Sequence, residues 1–442
     1  MTLRQKGNAM SEKVRIVVVG GGAGGLELAT HLGHKLGRKQ RADITLVDAN
    51  PTHIWKPLLH EVATGALDQS LDEVSYTAHA KNHGYRFQLG RMCGLDRASR
   101  HVKLAAVLDE DGEEVLAERS LAYDYLVLAL GSISNDFGTP GVAEHCHFLD
   151  SIQQAEILRK SLLNTFLRHS GDQAQQNRLS VAIVGAGATG VELSAELLSA
   201  TELLSSYGYT RIQREQLDIH LIEAADRILP ALPARIGEAV SRQLDKLGVT
   251  LHTGTLITSA DAAGFVTKSG DRIDADLSVW AAGVKGASFL SELGLVTRPN
   301  HQLLVKPTLA SESDERIFAI GDCAACPMGE GRWVPPRAQS AHQMASHVCA
   351  NLQALLDGKP LKNFQYRDFG SLISLARFSA VGSLMRGRST GPSLFIEGML
   401  ARFFYVSLYR MHQRALHGSF KTTLKVIVDG INSLLRPSLK LH

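Results

Sequence analysis

The spacing of apolar and polar positions predicts the same succession of elements twice. Val14–Val19 is a β-branched strand run that ends in Gly20-Gly21-Gly22-Ala23-Gly24-Gly25, followed by a helical pattern to about Leu36 and a second short strand, Ile44–Val47, closed by Asp48. The pattern returns at Ser180–Val184, with Gly185-Ala186-Gly187-Ala188-Thr189-Gly190, a helix through about Leu204, and Asp218–Ile222 closed by Glu223. Two more apolar runs, Tyr125–Leu130 before Gly131 and Leu277–Ala282 before Gly283, fall at matching distances and read as the closing strands of the two repeats. A third, Ile317–Ile320 before Gly321-Asp322, follows the second repeat, so the chain is expected to return to its first domain after a polar, Ser-rich crossing over Asn300–Asp314.

The last stretch changes character. Leu394–Leu416 sets Phe395, Met399, Leu400, Phe403 and Phe404 among Arg402, Arg410 and Arg414, and Phe420–Leu435 sets Leu424, Ile427, Val428, Ile431 and Leu435 beside Lys421 and Lys425. Both predict amphipathic helices. Residues 385–442 hold nine Lys/Arg against two Asp/Glu, an excess of +7, which leaves 38 basic and 42 acidic residues, or −4, in the remainder. A mildly acidic body with a basic, apolar tail fits a surface-binding appendage. No window of 18 uninterrupted apolar residues predicts a transmembrane helix, and polar Met1–Lys13 does not read as a signal peptide.

Composition narrows the class. With 442 residues, 44% of them hydrophobic and 40 glycines gathered in clusters, the chain is an ordinary globular α/β protein of two or three domains. Five cysteines make no disulfide framework and point to a reducing compartment. Cys323-Ala-Ala-Cys326 lacks the two further ligands a zinc site needs, so no metal is expected. A redox thiol pair and small residues in a tight turn both remain open for it.

The Gly-x-Gly-x-x-Gly turns carry the chemistry. The first glycine permits a sharp bend, the second lets backbone approach a pyrophosphate, and the third lets the helix seat on the strand, so that free N–H groups at its start face the phosphates. Gly20, Gly22 and Gly25 with Asp48 therefore form one dinucleotide site, and Gly185, Gly187 and Gly190 with Glu223 a second. Glu223 repels a 2′-phosphate and favours NADH over NADPH, although Arg227 close by could accommodate that phosphate. Pro335-Pro336-Arg337 is expected to open a helix on which Gln339 and Gln343, four residues apart, share a face where two amides could meet a polar, uncharged acceptor.

Taken together, these features resemble the two-dinucleotide-binding flavoproteins related to glutathione reductase. Ala338-Gln-Ser-Ala-His-Gln343, Trp55-Lys-Pro-Leu-Leu-His-Glu-Val-Ala-Thr-Gly65, Gly185-Ala-Gly-Ala-Thr-Gly-Val-Glu-Leu193 and Leu408-Tyr-Arg-Met-His-Gln413 look like the bacterial respiratory branch, the type II NADH:quinone oxidoreductases. The early segment after Lys56 lacks the cysteine pair of the disulfide reductases. The resemblance implies two Rossmann-like domains plus a membrane-binding tail: an FAD domain at 14–150, an NADH domain at 151–299, a second FAD part with the quinone-site helix at 300–384, and an anchor at 385–442. It also implies non-covalent FAD, NADH as donor, a membrane quinone (ubiquinone or menaquinone) as acceptor, and no proton pumping. The protein is expected to be a homodimer, peripheral on the cytoplasmic face of the bacterial inner membrane, with no nucleic acid partner.

Carried over by position, Gly20, Gly22, Gly24, Gly25, Asp48, Lys56, Gly131, Asp322, Ala338 and Gln339 are expected at FAD. Gly185, Gly187, Gly190, Glu192, Glu223 and Gly283 are expected at NADH. Gln339 and Gln343 would bound the quinone pocket, and Glu192 would handle protons or position a ligand where nicotinamide meets flavin. The competing expectations are a sulfide:quinone oxidoreductase, for which Cys146 and Cys349 are poor candidates, and a non-catalytic NADH-sensing flavoprotein.

Overall fold

A computed structural model describes residues 13–68, 72–169, 178–206, 216–385 and 393–435. The expectations for Met1–Glu12 of the opening Met1–Lys13 stretch and for Arg386, Arg388, Arg436 and Lys440 lie outside these residues. The chain forms two compact units, the first of residues 1–53, 74–131 and 286–365, the second of 54–73, 132–285 and 366–442.

Along the chain, the first unit opens with β1 (Val14–Val19), α1 (Ala23–Leu32) and β2 (Ala42–Asp48). The second unit then receives α2 (Leu59–Thr64), and the first regains the chain for β3 (Arg86–Leu89) and β4 (Tyr125–Leu128). In the second unit follow β5 (Leu179–Val184), α3 (Ala188–Ser206), β6 (Leu217–Ile222), β7 (Val249–His252) and β8 (Leu277–Trp280). The first unit is completed by β9 (Ile317–Ala319) and α4 (Ala338–Leu356). The last elements, all in the second unit, are β10 (Gly370–Leu375), β11 (Ser379–Met385), β12 (Ser393–Glu397) and α5 (Met399–Leu435).

Each unit is built on a parallel sheet, in the order β9-β4-β1-β2-β3 in the first and β7-β6-β5-β8 in the second. Buried on both faces, the central strands are almost wholly apolar: Ile16–Val19 and Leu126–Leu128 in one unit, Val181–Val184 and Ile219–Ile222 in the other, apart from half-buried His220. Each unit inserts a three-stranded antiparallel sheet before its closing strand, made of residues 92–96, 101–104 and 119–122 in the first and 257–261, 264–267 and 272–274 in the second. The second unit adds the antiparallel sheet β10-β11-β12, with Ile373, Leu375 and Val381 in the same core as α2 and α3.

Several boundaries differ from the expected ones. Residues 132–150 and 366–384 belong to the second unit and 286–299 to the first, so the crossing falls at Lys285/Gly286 and not over Asn300–Asp314. Residues 385–442 are no separate region, because β12 pairs with β11 and α5 seats Ala401 and Leu416 in the second unit. Leu394 and Phe395 are strand residues, whose register with Leu384 and Ser383 displaces the expected helix to Met399. Gly418, at φ 79° and ψ 168°, breaks α5 into two helical segments. The prolines at 335 and 336 precede α4, whose N-cap is Arg337.

The two phosphate turns set the stability of the fold. A Cβ on Gly25 would lie 1.8 Å from the Gly20 carbonyl oxygen, whereas one on Gly22 meets nothing within 4 Å. Gly25→Ala is therefore expected to cost about 3 kcal/mol or more, read by thermal or urea unfolding, and Gly22→Ala to leave the apo-protein's stability near wild type. Equal losses in the two variants would contradict this division of roles.

Candidate functional site

Both glycine turns are built alike, each within its own unit. Gly20 and Gly185 stand at φ +101°, and their N–H groups donate to the carbonyls of Val47 and Ile222 at 2.8 and 2.7 Å, which ties each turn to the neighbouring strand. A Cβ on Gly20 would come within 2.3 Å of the Ala129 oxygen, and one on Gly185 within 2.6 Å of the Ala282 nitrogen. Gly190 repeats the close approach of Gly25, at 2.1 Å from the Gly185 oxygen. Gly22 and Gly187, the glycines over which a pyrophosphate would pass, are both open. No side chain caps the start of α1 at Gly22, so its first N–H groups have no competitor there.

The acids at the strand ends brace these turns. Asp48 accepts from the Gly21 amide at 2.6 Å and the Asn50 amide at 2.8 Å, and Glu223 accepts from the Ala186 and Ala225 amides, both at 3.0 Å. Burial raises the pKa of Asp48, and the amide bonds oppose that shift. Arg227 donates from its two terminal nitrogens to the Leu232 and Pro230 carbonyls at 3.0 and 2.9 Å, within its own loop. Gly283 stands at φ +64°, its α-carbon under the Phe137 ring, where a Cβ would be 2.6 Å from the ring.

In the first unit, further expected residues converge on the ends of β1 and β9. A Cβ on Gly24 would meet the Ala341 oxygen at 3.1 Å and Ile320 at 3.4 Å, and one on Gly321 would meet the Ala341 methyl at 3.4 Å. The first turn of α4 thus lies against both α1 and the Gly321-Asp322 turn. The Asp322 carbonyl accepts from Gln302 at 2.7 Å, and Gly131, at φ +70°, has open space beside it. Ala338 begins α4; Gln339 and Gln343 are half-buried on the face opposite its packed row of Ala341, Met344, Ala345 and Val348. His342, beside them, contacts Glu27 of α1.

Lys56 belongs to the second unit and donates to the Ser132 carbonyl at 2.9 Å with the Asp150 carboxylate 3.5 Å away. Glu192, on α3, is buried; its carboxylate accepts from the Ser374 amide at 3.0 Å and stands 3.9 Å from His60 Nδ1. Burial first, with the Glu61 and Glu196 charges adding, pushes its pKa up to about 8 against the Ser374 bond.

Glu61, Glu196 and His60 belong to the same cluster, and only Glu192 among them was singled out from the sequence. Burial raises Glu61 to about 8 and Glu196 to about 7, and lowers His60 to about 4. The i, i+4 spacing of Glu192 and Glu196 was the available signal, since two like charges one turn apart are unfavourable on a helix.

Burial disfavours the thiolate form at Cys146, Cys323 and Cys326. All five cysteines are free, and burial raises Cys323 and Cys326 to about 11 and Cys146 to about 12, far from the thiolate that nucleophilic sulfur chemistry requires. Cys323 is a core residue whose Sγ lies on the Leu128 and Ile320 carbonyls.

A family model described as pyridine nucleotide-disulphide oxidoreductase matches residues 14–345. The type II NADH:quinone oxidoreductase of Haemophilus influenzae is 49% identical, covering 97% of this chain and 99% of that protein. The protein of the same name from Staphylococcus aureus (strain NCTC 8325 / PS 47) is 30% identical over 84% of this chain and 90% of its own. Among solved structures, NDH2 from Plasmodium falciparum in complex with NADH has a TM-score of 0.79 at 20% identity, covering 97% of this chain and all of that one. The sulfide:quinone oxidoreductase from Aquifex aeolicus has a TM-score of 0.73 at 17% identity over 95% of both chains. Both structures share the fold.

The buried glutamates give the folded chain a pH signature. Glu192 binds its proton more tightly folded, near 8, than unfolded, where 4.5 is ordinary, so its contribution to stability is complete below about pH 4.5 and is lost as pH rises through about 8. Each such group contributes at most about 1.4 kcal/mol per pH unit across that window. Glu192→Gln, which cannot ionise, is expected to flatten the fall in Tm between about pH 5 and about pH 8. Parallel Tm–pH curves for variant and wild type would contradict it.

Proposed function

Since the chain belongs to the pyridine nucleotide-disulphide oxidoreductase family, and within it to the type II NADH:quinone oxidoreductases, we propose that it oxidises NADH and passes two electrons to a membrane quinone without pumping protons. One observation carries this reading: a single chain presents two open dinucleotide turns, each braced by an acid on the next strand. A non-catalytic NADH-sensing flavoprotein would carry both turns but has no use for the glutamine pair at 339 and 343, and burial, which raises the Cys146 and Cys349 thiols, disfavours sulfide as donor.

The first unit fits non-covalent FAD. The open space at Gly22 suits a pyrophosphate, Asp48 can accept from an adenosine ribose, and Gly24, Gly131, Asp322 and Ala338 would line the remainder. Bound there, a flavin supplies the step between a hydride donor and a two-electron acceptor. In the second unit, Gly185, Gly187, Gly190 and Gly283 would hold NADH, and Glu223 its ribose. The engagement of Arg227 with its own loop supports NADH over NADPH. Gln339 and Gln343 would present amide N–H groups to the quinone carbonyls, and Glu192 would hold the proton that quinol formation needs.

The tail supports docking on a lipid surface. Among the described residues no helix is long and apolar enough to cross a membrane. Along α5, however, Met399 is 86% exposed, Phe403 66% and Phe420 84%, with Leu424, Ile427 and Ile431 exposed on the second segment. Apolar side chains with lysines and arginines between them suit the headgroup boundary of an anionic membrane, on the cytoplasmic face where the quinone is reached. Beneath this surface α5 is held down by the His412 ring, which lies on Trp55 with centroids 4.0 Å apart, and by Lys425, which pairs with Asp72 at 3.0 Å; Arg410 pairs with Asp429 at 2.8 Å and ties the two segments of α5 to each other.

Stopped-flow mixing tests the function. NADH is expected to bleach the purified protein's yellow absorbance and a quinone to restore it; colour that persists anaerobically with NADH would overturn the reading. Gln343→Ala is expected to raise the quinone KM and leave bleaching by NADH nearly intact. Removing residues 419–442, a cut that spares β12, Ala401 and Leu416, is expected to keep NADH-dependent dye reduction and weaken binding to anionic vesicles at least about tenfold. A truncated chain that turns from dimer to monomer yet binds vesicles as before would assign these apolar faces to a homodimer instead.

A further inference from the structure

Glu192 is enclosed, with only 9% of its side chain exposed, and a residue that gives up a proton at each turnover must regain one. Around it, within the second unit, α2 contributes His60 and Glu61, α3 contributes Glu196 one turn along, and α5 contributes Arg402 and Tyr405. His60 lies between the acids: Nδ1 is 3.9 Å from Glu192, Nε2 is 3.9 Å from Glu61, and donor atoms of His60, Glu61 and Glu196 fall within 4.8 Å of one another. A ring nitrogen bonds the Pro57 carbonyl and so carries the hydrogen, while Nε2 is buried with no hydrogen-bond partner. Nδ1 is therefore the donor, and Nε2 presents a bare lone pair to the carboxyl groups.

Exposure rises along this cluster, to 23% for the Glu61 side chain. Beyond Glu61 lies Asp72, tied to Lys425 at 3.0 Å and to the Tyr409 hydroxyl at 3.2 Å. Arg402 is the cation whose charge acts on Glu61 and Glu196, and the Tyr405 phenol faces all three glutamates. Three carboxylates in a poorly solvated space, of which the Arg402 charge reaches only Glu61 and Glu196, cannot all ionise without a large cost, so the cluster retains protons at neutral pH.

We propose that Glu61 and Glu196, arranged around neutral His60, are a proton relay that refills Glu192 from solvent. This rests on the reading of the chain as an NADH:quinone oxidoreductase. Quinol formation takes two electrons and two protons; the hydride of NADH accounts for both electrons and one proton, which leaves one to be drawn from water. In the relay only protons move. Ionised Glu192 takes a proton from Glu196, Glu196 takes one from Glu61, and Glu61 is reprotonated by solvent at its exposed edge. Glu61 and Glu196 touch no reacting atom and act through Glu192.

The full-length protein carrying Glu196→Gln or Arg402→Gln tests this with two readouts. In the infrared, wild type at neutral pH is expected to show the carbonyl stretch of protonated carboxylic acids, reduced in Glu196→Gln. In steady state, Glu196→Gln is expected to slow quinone reduction about tenfold or more above neutral pH, with partial rescue by formate. Arg402→Gln, at an exposed position where the fold is not at risk, is expected to move the alkaline limb of the pH profile upward, because the cation that favours ionised glutamates is gone. A wild type that does not reduce quinone with NADH overturns the functional reading and the relay with it. A wild type that does, with infrared spectra and pH profiles unaltered in both variants, overturns the relay alone.

Discussion

Everything in this chain depends on a backbone constraint met twice: a left-handed glycine at the end of a buried strand, with a second glycine five residues on whose α-carbon touches the carbonyl of the first. Gly20 with Gly25, and Gly185 with Gly190, leave no room for a methyl group. The close approach presses the N-terminus of a helix onto the strand and directs its unbonded amides to one point. The acid at the end of the adjacent strand completes the device by accepting the amide of the residue after the first glycine, so that Asp48 and Glu223 hold the turn's shape.

A second constraint is electrostatic. Glutamates at 61, 192 and 196 around a neutral histidine are costly to bury as anions, and the cost appears as a raised affinity for protons. A hydrophobic replacement would pack the α2–α3 junction without that cost. Retaining the carboxyl groups suits the proton relay proposed above, and the tail helix reaches the cluster through Arg402 and Tyr405. The proposed docking surface and the proposed proton supply thus share one helix, α5.

The tail also shows how one sequence pattern serves two environments. The alternation of apolar and basic residues over 394–435 is satisfied first by strand pairing at Ser393–Glu397 and then by a helix that buries Ala401, His412 and Leu416 while leaving Met399, Phe403 and Phe420 outside. An exposed apolar set of this kind marks a surface that meets a partner or a membrane.

By itself the sequence determined the two turns, their acids, the central strands and the basic tail, because each is a local pattern: glycine where the backbone must adopt positive φ, β-branched runs where both sheet faces are covered, charge spaced along a helix. What only the tertiary structure decided is non-local. Whether Leu394 and Phe395 extend as strand or coil as helix depends on a partner at Ser383–Leu384, and where the chain changes unit depends on which surface each segment covers. His60 and Glu61 read as an ordinary helical pair until α3 and α5 close over them. Charge state is a property of the solvent that packing removes, and no spacing along the chain records how much water a carboxyl group will lose.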